Sequence, residues 1–155
     1  MNINDFLPTV PIFSTLEPEE LASVKPFIEK KLLQENSVLF EEGDPGDAMF
    51  IVAVGAVKII KSIDDNKGKV VGTFSEGDFF GELALLDGQP RSAGAVVTRR
   101  SVILKIGFDN FRQLMNKSSF AALKIISQIA CHLSIRLRTT NLKLAELENE
   151  KLLRK

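Results

Sequence analysis

The 155-residue chain has one cysteine, Cys131, and one histidine, His132. A single thiol excludes an internal disulfide, and a reducing compartment is the expectation that follows. With no Ser–His–acid or Cys–His arrangement apparent, nucleophilic catalysis lacks its parts. Neither sign of charge is in excess, since 20 basic residues face 20 acidic ones. A surface built to hold nucleic-acid phosphates carries a basic surplus, so this balance argues against DNA or RNA binding by the chain alone. The first eleven residues hold Asp5, Pro8 and Pro11 and no basic-then-apolar stretch, which excludes an ordinary secretory signal. No uninterrupted apolar run approaches the ~20 residues that cross a bilayer. The expectation is a soluble, cytoplasmic binding protein, neither an enzyme nor a membrane protein.

What is present suits one packed domain. Hydrophobic residues make up 45% of the chain, and its length falls near the usual domain size. Three zones follow one another. Residues 1–33 read as a helical entry: Pro18 fits the first position of a helix, Glu19 and Glu20 suit its positive end, and Pro26 stops it. Residues 34–107 have the rhythm of short strands. Apolar runs at 37–40, 48–54, 56–60, 69–74, 93–98 and 102–106 are separated by Gly-, Asp- and Asn-rich turns such as Gly43-Asp44-Pro45-Gly46-Asp47 and Asp64-Asp65-Asn66-Lys67-Gly68. That spacing predicts an antiparallel sandwich or barrel. Residues 109–155 read as helices, with Asp109 and Ser118 as N-caps. From Ile126 the positions Ala130, Leu133, Leu137, Thr140, Leu144 and Leu147 step by four and three, a seam suited to a second helix and hence to a homodimer, or else to a single amphipathic helix lying on the barrel.

The chemistry is concentrated in residues 79–93. The strand ends at Gly81, one helical turn runs from Glu82 to Leu86, a second turn follows at Asp87-Gly88, and Arg91 and Ser92 enter the next strand. The first N–H groups of a short helix have no acceptor within it and form an anion site. Arg91 adds a planar fork of donors suited to phosphate, and Ser92 adds a hydroxyl. Glu82 looks misplaced beside an anion until the ligand also brings a hydroxyl for it to accept. A sugar joined to a phosphate meets both demands.

Gly81-Glu82-Leu83-Ala84 followed by Pro90-Arg91-Ser92-Ala93 closely resembles the phosphate-binding cassette of the cyclic nucleotide-binding domain family. Gly43 to Asp47 with Met49-Phe50-Ile51-Val52, then Gly55 and Gly77-Asp78, match further points of that pattern, and Phe111 to Leu114 before a long helix resembles the bacterial activators of the family. The resemblance spans nearly the whole chain. It implies a mainly β fold with flanking helices: a double-stranded, jelly-roll-like β-roll with N-terminal helices and a long C-terminal helix. It implies that Glu82 accepts the ribose 2′-hydroxyl, while Arg91, Ser92 and the N–H groups of Gly81, Leu83 and Ala93 hold the cyclic phosphate. Ala84 completes the cassette, and Val71 and Leu83 are implied as apolar contacts. A metal-binding cupin has a similar roll but needs several histidines.

Two departures stand out. The turn before the second strand is Gln34-Glu35-Asn36-Ser37, where the family often has glycine; asparagine tolerates the left-handed conformation. Counted along the long helix, the activators' base-contacting pair falls on Arg136 and Leu137, so the base-reading residues are not carried over. Arg136 is the candidate to stack on a purine or donate to guanine. Ser92 and the bacterial form of the cassette favour cyclic AMP, with cyclic GMP as second candidate and no cofactor or metal implied. Two ligand-binding readings remain open, beside an assembly module that has kept the fold but uses the helix alone. One is a sensor that relays the nucleotide to an unknown downstream protein through its long helix. The other is the ligand-binding and dimerisation half of an activator-type transcription regulator, distinguished by whether a stop codon follows Lys155.

Overall fold

A computed structural model describes residues 2–64 and 67–153. Asp65 and Asn66, at the centre of one turn noted above, lie outside the described residues. The chain enters through helix α1 (Ile3–Phe6), two single 3₁₀ turns, helix α2 (Pro18–Val24) and a 3₁₀ turn at Lys25–Phe27. Pro18 does open α2, and Glu17 and Glu20 close a reciprocal capping box at its start. Residues 29–33, placed in the helical entry by the sequence reading, instead form strand β1 (Glu29–Leu33). The reason lies outside the segment: β1 pairs along its whole length with β8 (Ser101–Gly107).

Eight strands make two four-stranded antiparallel sheets. Between β1 and β8 run β2 (Val38–Phe40), β3 (Ala48–Val54), β4 (Ala56–Asp64), β5 (Lys67–Ser75), β6 (Phe79–Phe80) and β7 (Gly94–Val97). One sheet has the order β1-β8-β3-β6 and the other β2-β7-β4-β5. Asn36 takes φ of 65° in the turn before β2.

Strand alternation sends β3 into two cores at once. Ala48, Phe50 and Val52 join Val57, Phe80, Ala95, Val97 and Ile103 between the sheets. Met49, Ile51 and Ala53 face the helices, with Phe13, Phe79, Leu104 and Ile106. Phe79 and Phe80, adjacent in sequence, therefore anchor opposite cores, 1% and 2% exposed.

Helix α4 (Phe108–Lys117) and helix α5 (Ser119–Leu153) close the chain. Gly107, not Asp109, stands at the N-cap of α4, and Asp109 lies in its first turn. Ala121, Ala122, Ile125 and Ile129 of α5 are buried in the helix-side core, and Lys124 donates 2.7 Å to Glu20 of α2. Ile126 and Leu133, assigned above to a partner's seam, also pack against this core. By length and composition α5 is also long and apolar enough to cross a membrane, although scattered charged residues interrupt its apolar positions. Beyond Arg136 every described side chain of the helix is exposed.

Candidate functional site

Helix α3 (Glu82–Asp87) starts and ends on glycines in the left-handed region, Gly81 at φ 76° and Gly88 at φ 65°. At Gly81 an added Cβ would stand 2.8 Å from Arg91 Nη1 and 3.3 Å from the Ala48 carbonyl. Conformation and crowding both demand glycine there. No side chain caps α3. Its first amides therefore have no acceptor in the helix.

Two hydrogen bonds hold the chain beyond α3 against the loop 41–47. Gly43 N–H donates to the Arg91 carbonyl and Arg91 N–H to the Asp44 carbonyl, each at 2.8 Å. Arg91 is thereby carried inside the roll, 5% exposed. Its Nη2 donates to the Ala48 carbonyl at 2.6 Å and its Nη1 to the Gly81 carbonyl at 3.2 Å, with Asp47 Oδ1 3.5 Å from Nη2. The guanidinium lies 4.2 Å from the centroid of the Phe40 ring. Burial pulls its pKa below the usual range, opposed chiefly by the nearby Asp47 charge. The remaining donor, Nε, is buried without a partner among the described residues. An unpaired buried donor on a desolvated cation favours an arriving anion.

Glu82 is 3% exposed. Its carboxylate accepts 2.7 Å from Nη1 of Arg136 on α5, whose Nη2 donates 2.7 Å to the Phe79 carbonyl. The Arg136 guanidinium also lies over Phe74 and Phe79, 5.2 and 4.8 Å from their centroids. His132, one turn earlier, meets Phe79 edge-on with centroids 5.3 Å apart. A helix 54 residues away in sequence is thus fastened to the first residue of α3.

These groups border one cavity of about 570 Å³. Of the residues singled out in the sequence, Gly81, Glu82, Leu83, Ala84, Arg91, Ser92, Ala93 and Arg136 line it. Val71 does not: it is 57% exposed. Pairing steps from Ile59↔Gly72 to Ile60↔Val70, leaving Val71 as the extra residue of a bulge. Sequence reasoning gave Leu133 only to the helical seam, while Leu137 lines the cavity beside Arg136, and it missed the apolar wall of Phe40, Ile59, Phe74 and Phe80. The alternation of Val57 and Ile59 on β4 was its only local signal. Arg136 enters the lining as Glu82's partner, not as a free donor for a base. A wider hollow of about 760 Å³ includes Glu29, Asp47, Asp109 and Lys105. Three carboxylates against one lysine are the wrong balance for an anion. Among the described residues no His, Cys, Asp and Glu cluster could hold a metal ion.

A roll with a short glycine-bounded helix and a buried arginine at one cavity defines a class of small-anion binding domain. The chain belongs to the cyclic nucleotide-binding domain family, whose model matches residues 30–118. It is 37% identical over 110 residues to a cAMP-dependent protein kinase regulatory subunit of Aspergillus fumigatus, covering 71% of this chain and 26% of that protein. It is 29% identical over 140 residues to the cyclic AMP receptor protein of Thermus thermophilus, covering 90% of this chain and 63% of that one. The crystal structure of the Thermus thermophilus catabolite activator protein matches with a TM-score of 0.78 at 28% identity, over 89% of this chain and 63% of that one. The chain thus spans about a quarter of the kinase subunit and under two thirds of the bacterial receptor.

Proposed function

We propose that this chain is a cyclic nucleotide sensor that takes cyclic AMP into the cavity beside α3 and reports its arrival through α5. The observation that carries the reading is Arg91, a 5% exposed cation with an unpartnered Nε at a wall of uncapped amides. The cyclic phosphate lies against Arg91 Nε, the Ser92 hydroxyl and the amides of Gly81, Leu83 and Ala93. The ribose 2′-hydroxyl donates to Glu82, and the base rests on Phe74, Leu133 and Leu137. Cyclic AMP is preferred to cyclic GMP because this base wall is apolar, and the more polar guanine loses more hydration there. At roughly 0.35 kcal/mol for each of about 22 heavy atoms, a dissociation constant of order micromolar follows. Isothermal titration of the chain with each nucleotide tests this. Micromolar binding of cyclic AMP, weaker for cyclic GMP, is expected; absence of heat with both overturns the reading.

The relay runs through Arg136. Only a differential affinity for two poses of α5 lets a ligand move it. A ribose hydroxyl at Glu82 competes with Arg136 for the same carboxylate, so nucleotide and docked helix are coupled there. The chain acts as a binding protein, without catalysis, in the cytoplasm, and hands the signal to a downstream protein.

A second copy of the chain is the partner for α5. Leu144, Leu147 and Leu152 are between 55 and 70% exposed, on the part of α5 beyond the cavity. Light scattering is expected to give a dimer, and Leu144→Lys with Leu147→Lys a monomer that still binds nucleotide. A monomeric wild type would dismiss the pairing. The match over 90% of this chain to a cyclic AMP receptor protein favours a second reading. In it the chain is the ligand-binding and dimerisation part of such a regulator.

A further inference from the structure

Lysine at position 61 is out of place by pattern. On β4, Val57 is buried between the sheets and Ile59 lines the cavity, and the period of two puts Lys61 on that same inward face. The ladder from β4 to β7 ends at Ile60↔Gly94, so Lys61 is the first residue past it, at the rim of the roll. Its side chain is 47% exposed, yet it is not left to water. The ammonium donates 2.7 Å to the Ser92 carbonyl and also to Glu42. Glu42 is itself fixed, since its other oxygen accepts the Ser62 N–H at 2.9 Å. The Lys61 hydrogen bond, then that of Ser62, holds the Glu42 carboxyl below the usual glutamate range. A loop, a strand and the cassette are thus joined at one ammonium.

What this junction does follows from the peptide bond. In a trans peptide the carbonyl and the next N–H point in opposite directions. Fixing the Ser92 carbonyl toward Lys61 therefore aims the Ala93 N–H the other way. Ser92 and Ala93 both line the cavity, and Ala93 N–H has no acceptor among the described residues. The preceding peptides of the segment are held as well, by Gly43 and Asp44 on the two sides of Arg91. Ser92 has no backbone tie of that kind among the described residues. Lys61 supplies the missing one.

We infer that Lys61, steadied by Glu42, is a positioning residue for the anion site, holding the Ser92–Ala93 peptide so that its N–H meets the cyclic phosphate. The inference rests on the nucleotide reading of the cavity. Lys61→Met keeps the length of the side chain and removes the donor, and is expected to weaken cyclic AMP binding about tenfold, the scale of one charge-assisted hydrogen bond. Lys61→Arg keeps a cationic donor and is expected to restore most of that loss. The Ala93 amide proton gives a readout that a general loss of stability would not move. In NMR titrations it is expected to shift downfield with nucleotide in wild type and Lys61→Arg, and much less in Lys61→Met. If Lys61→Met is too unstable to titrate, Lys61→Ala, which also removes the donor, carries the same expectation at this half-exposed position. Wild-type affinity together with a wild-type Ala93 shift in Lys61→Met would overturn the role of Lys61 alone. A wild type that takes up no cyclic nucleotide would remove the cavity reading and this role with it.

Discussion

Arg91→Ala is expected to raise the dissociation constant for cyclic AMP by one to two orders of magnitude. Leaving a charged acceptor without its partner costs about 1.5–3 kcal/mol, which is roughly a 10- to 150-fold change in affinity. Position adds to the effect, because Arg91 is 5% exposed and water cannot stand in for it. The same side chain holds the carbonyls of Gly81 and Ala48, so the variant also loses stability without ligand. Affinity must therefore be read directly by titration, not inferred from melting alone. Ligand-induced stabilisation separates the two effects, since saturation at a hundred times the dissociation constant stabilises by about 2.7 kcal/mol. Wild type is expected to show that rise and Arg91→Ala, at equal nucleotide, about half of it or less. Arg91→Lys is expected to lie near alanine, because a compact ammonium lacks the planar fork that reaches two separated carbonyls and an anion at once. Undiminished affinity in Arg91→Ala would remove Arg91 from the anion site.

Much of this arrangement was legible before any coordinates. The run Ala48–Val54 is a strand with those bounds, because seven apolar residues flanked by turns allow little else. Gly81 and Gly88 mark both ends of α3 because each takes a positive φ. Strand β1 was hidden for the opposite reason. Four of its five residues, in Glu-Lys-Lys-Leu-Leu, are exposed, so no alternation betrays it. Its one neighbour is β8, more than 60 residues on. Val71, implied as an apolar contact by the resemblance alone, is turned outward because a bulge in β5 makes it the extra residue. At Ile126 and Leu133 the helical seam lies on the chain's own core. A periodic apolar stripe says that something covers it, but not whether that is a second chain or the chain's own core.

Arg136 shows where sequence reasoning stopped. The resemblance to the family's activators implied a place over the pocket, and Arg136 does line the cavity. Whether its donors faced a base or a carboxylate depended on how α5 settles on β6, through His132 against Phe79. That packing joins residues more than 50 positions apart, which no local pattern records. Lys61 was missed for a similar reason. A lysine on an inward strand face reads as an irregularity until Glu42 and the Ser92 carbonyl are brought to it.

Glu82 is the sugar's anchor in this reading, so the 2′-hydroxyl is expected to matter to wild type and not to Glu82→Ala. Removing a hydrogen bond to a charged acceptor costs about 1.5–3 kcal/mol. The exchange here is smaller, because Arg136 already satisfies one oxygen of the carboxylate in the unliganded protein. About tenfold preference for cyclic AMP over its 2′-deoxy analogue is therefore expected of wild type, the low end of that range. Glu82→Ala is expected to bind both ligands weakly and alike. Glu82→Gln keeps an acceptor without the charge and is expected to show an intermediate ratio. The ordering of ratios, measured by titration, isolates the sugar contact from any general damage, which lowers both affinities but leaves their quotient unchanged. Loss of Glu82 also leaves Arg136 holding only the Phe79 carbonyl. Hydrogen exchange along α5 is then expected to quicken from the turn of His132 onward. A Glu82→Ala chain that still prefers the 2′-hydroxyl tenfold would place the ribose elsewhere in the cavity and break the proposed route from sugar to helix.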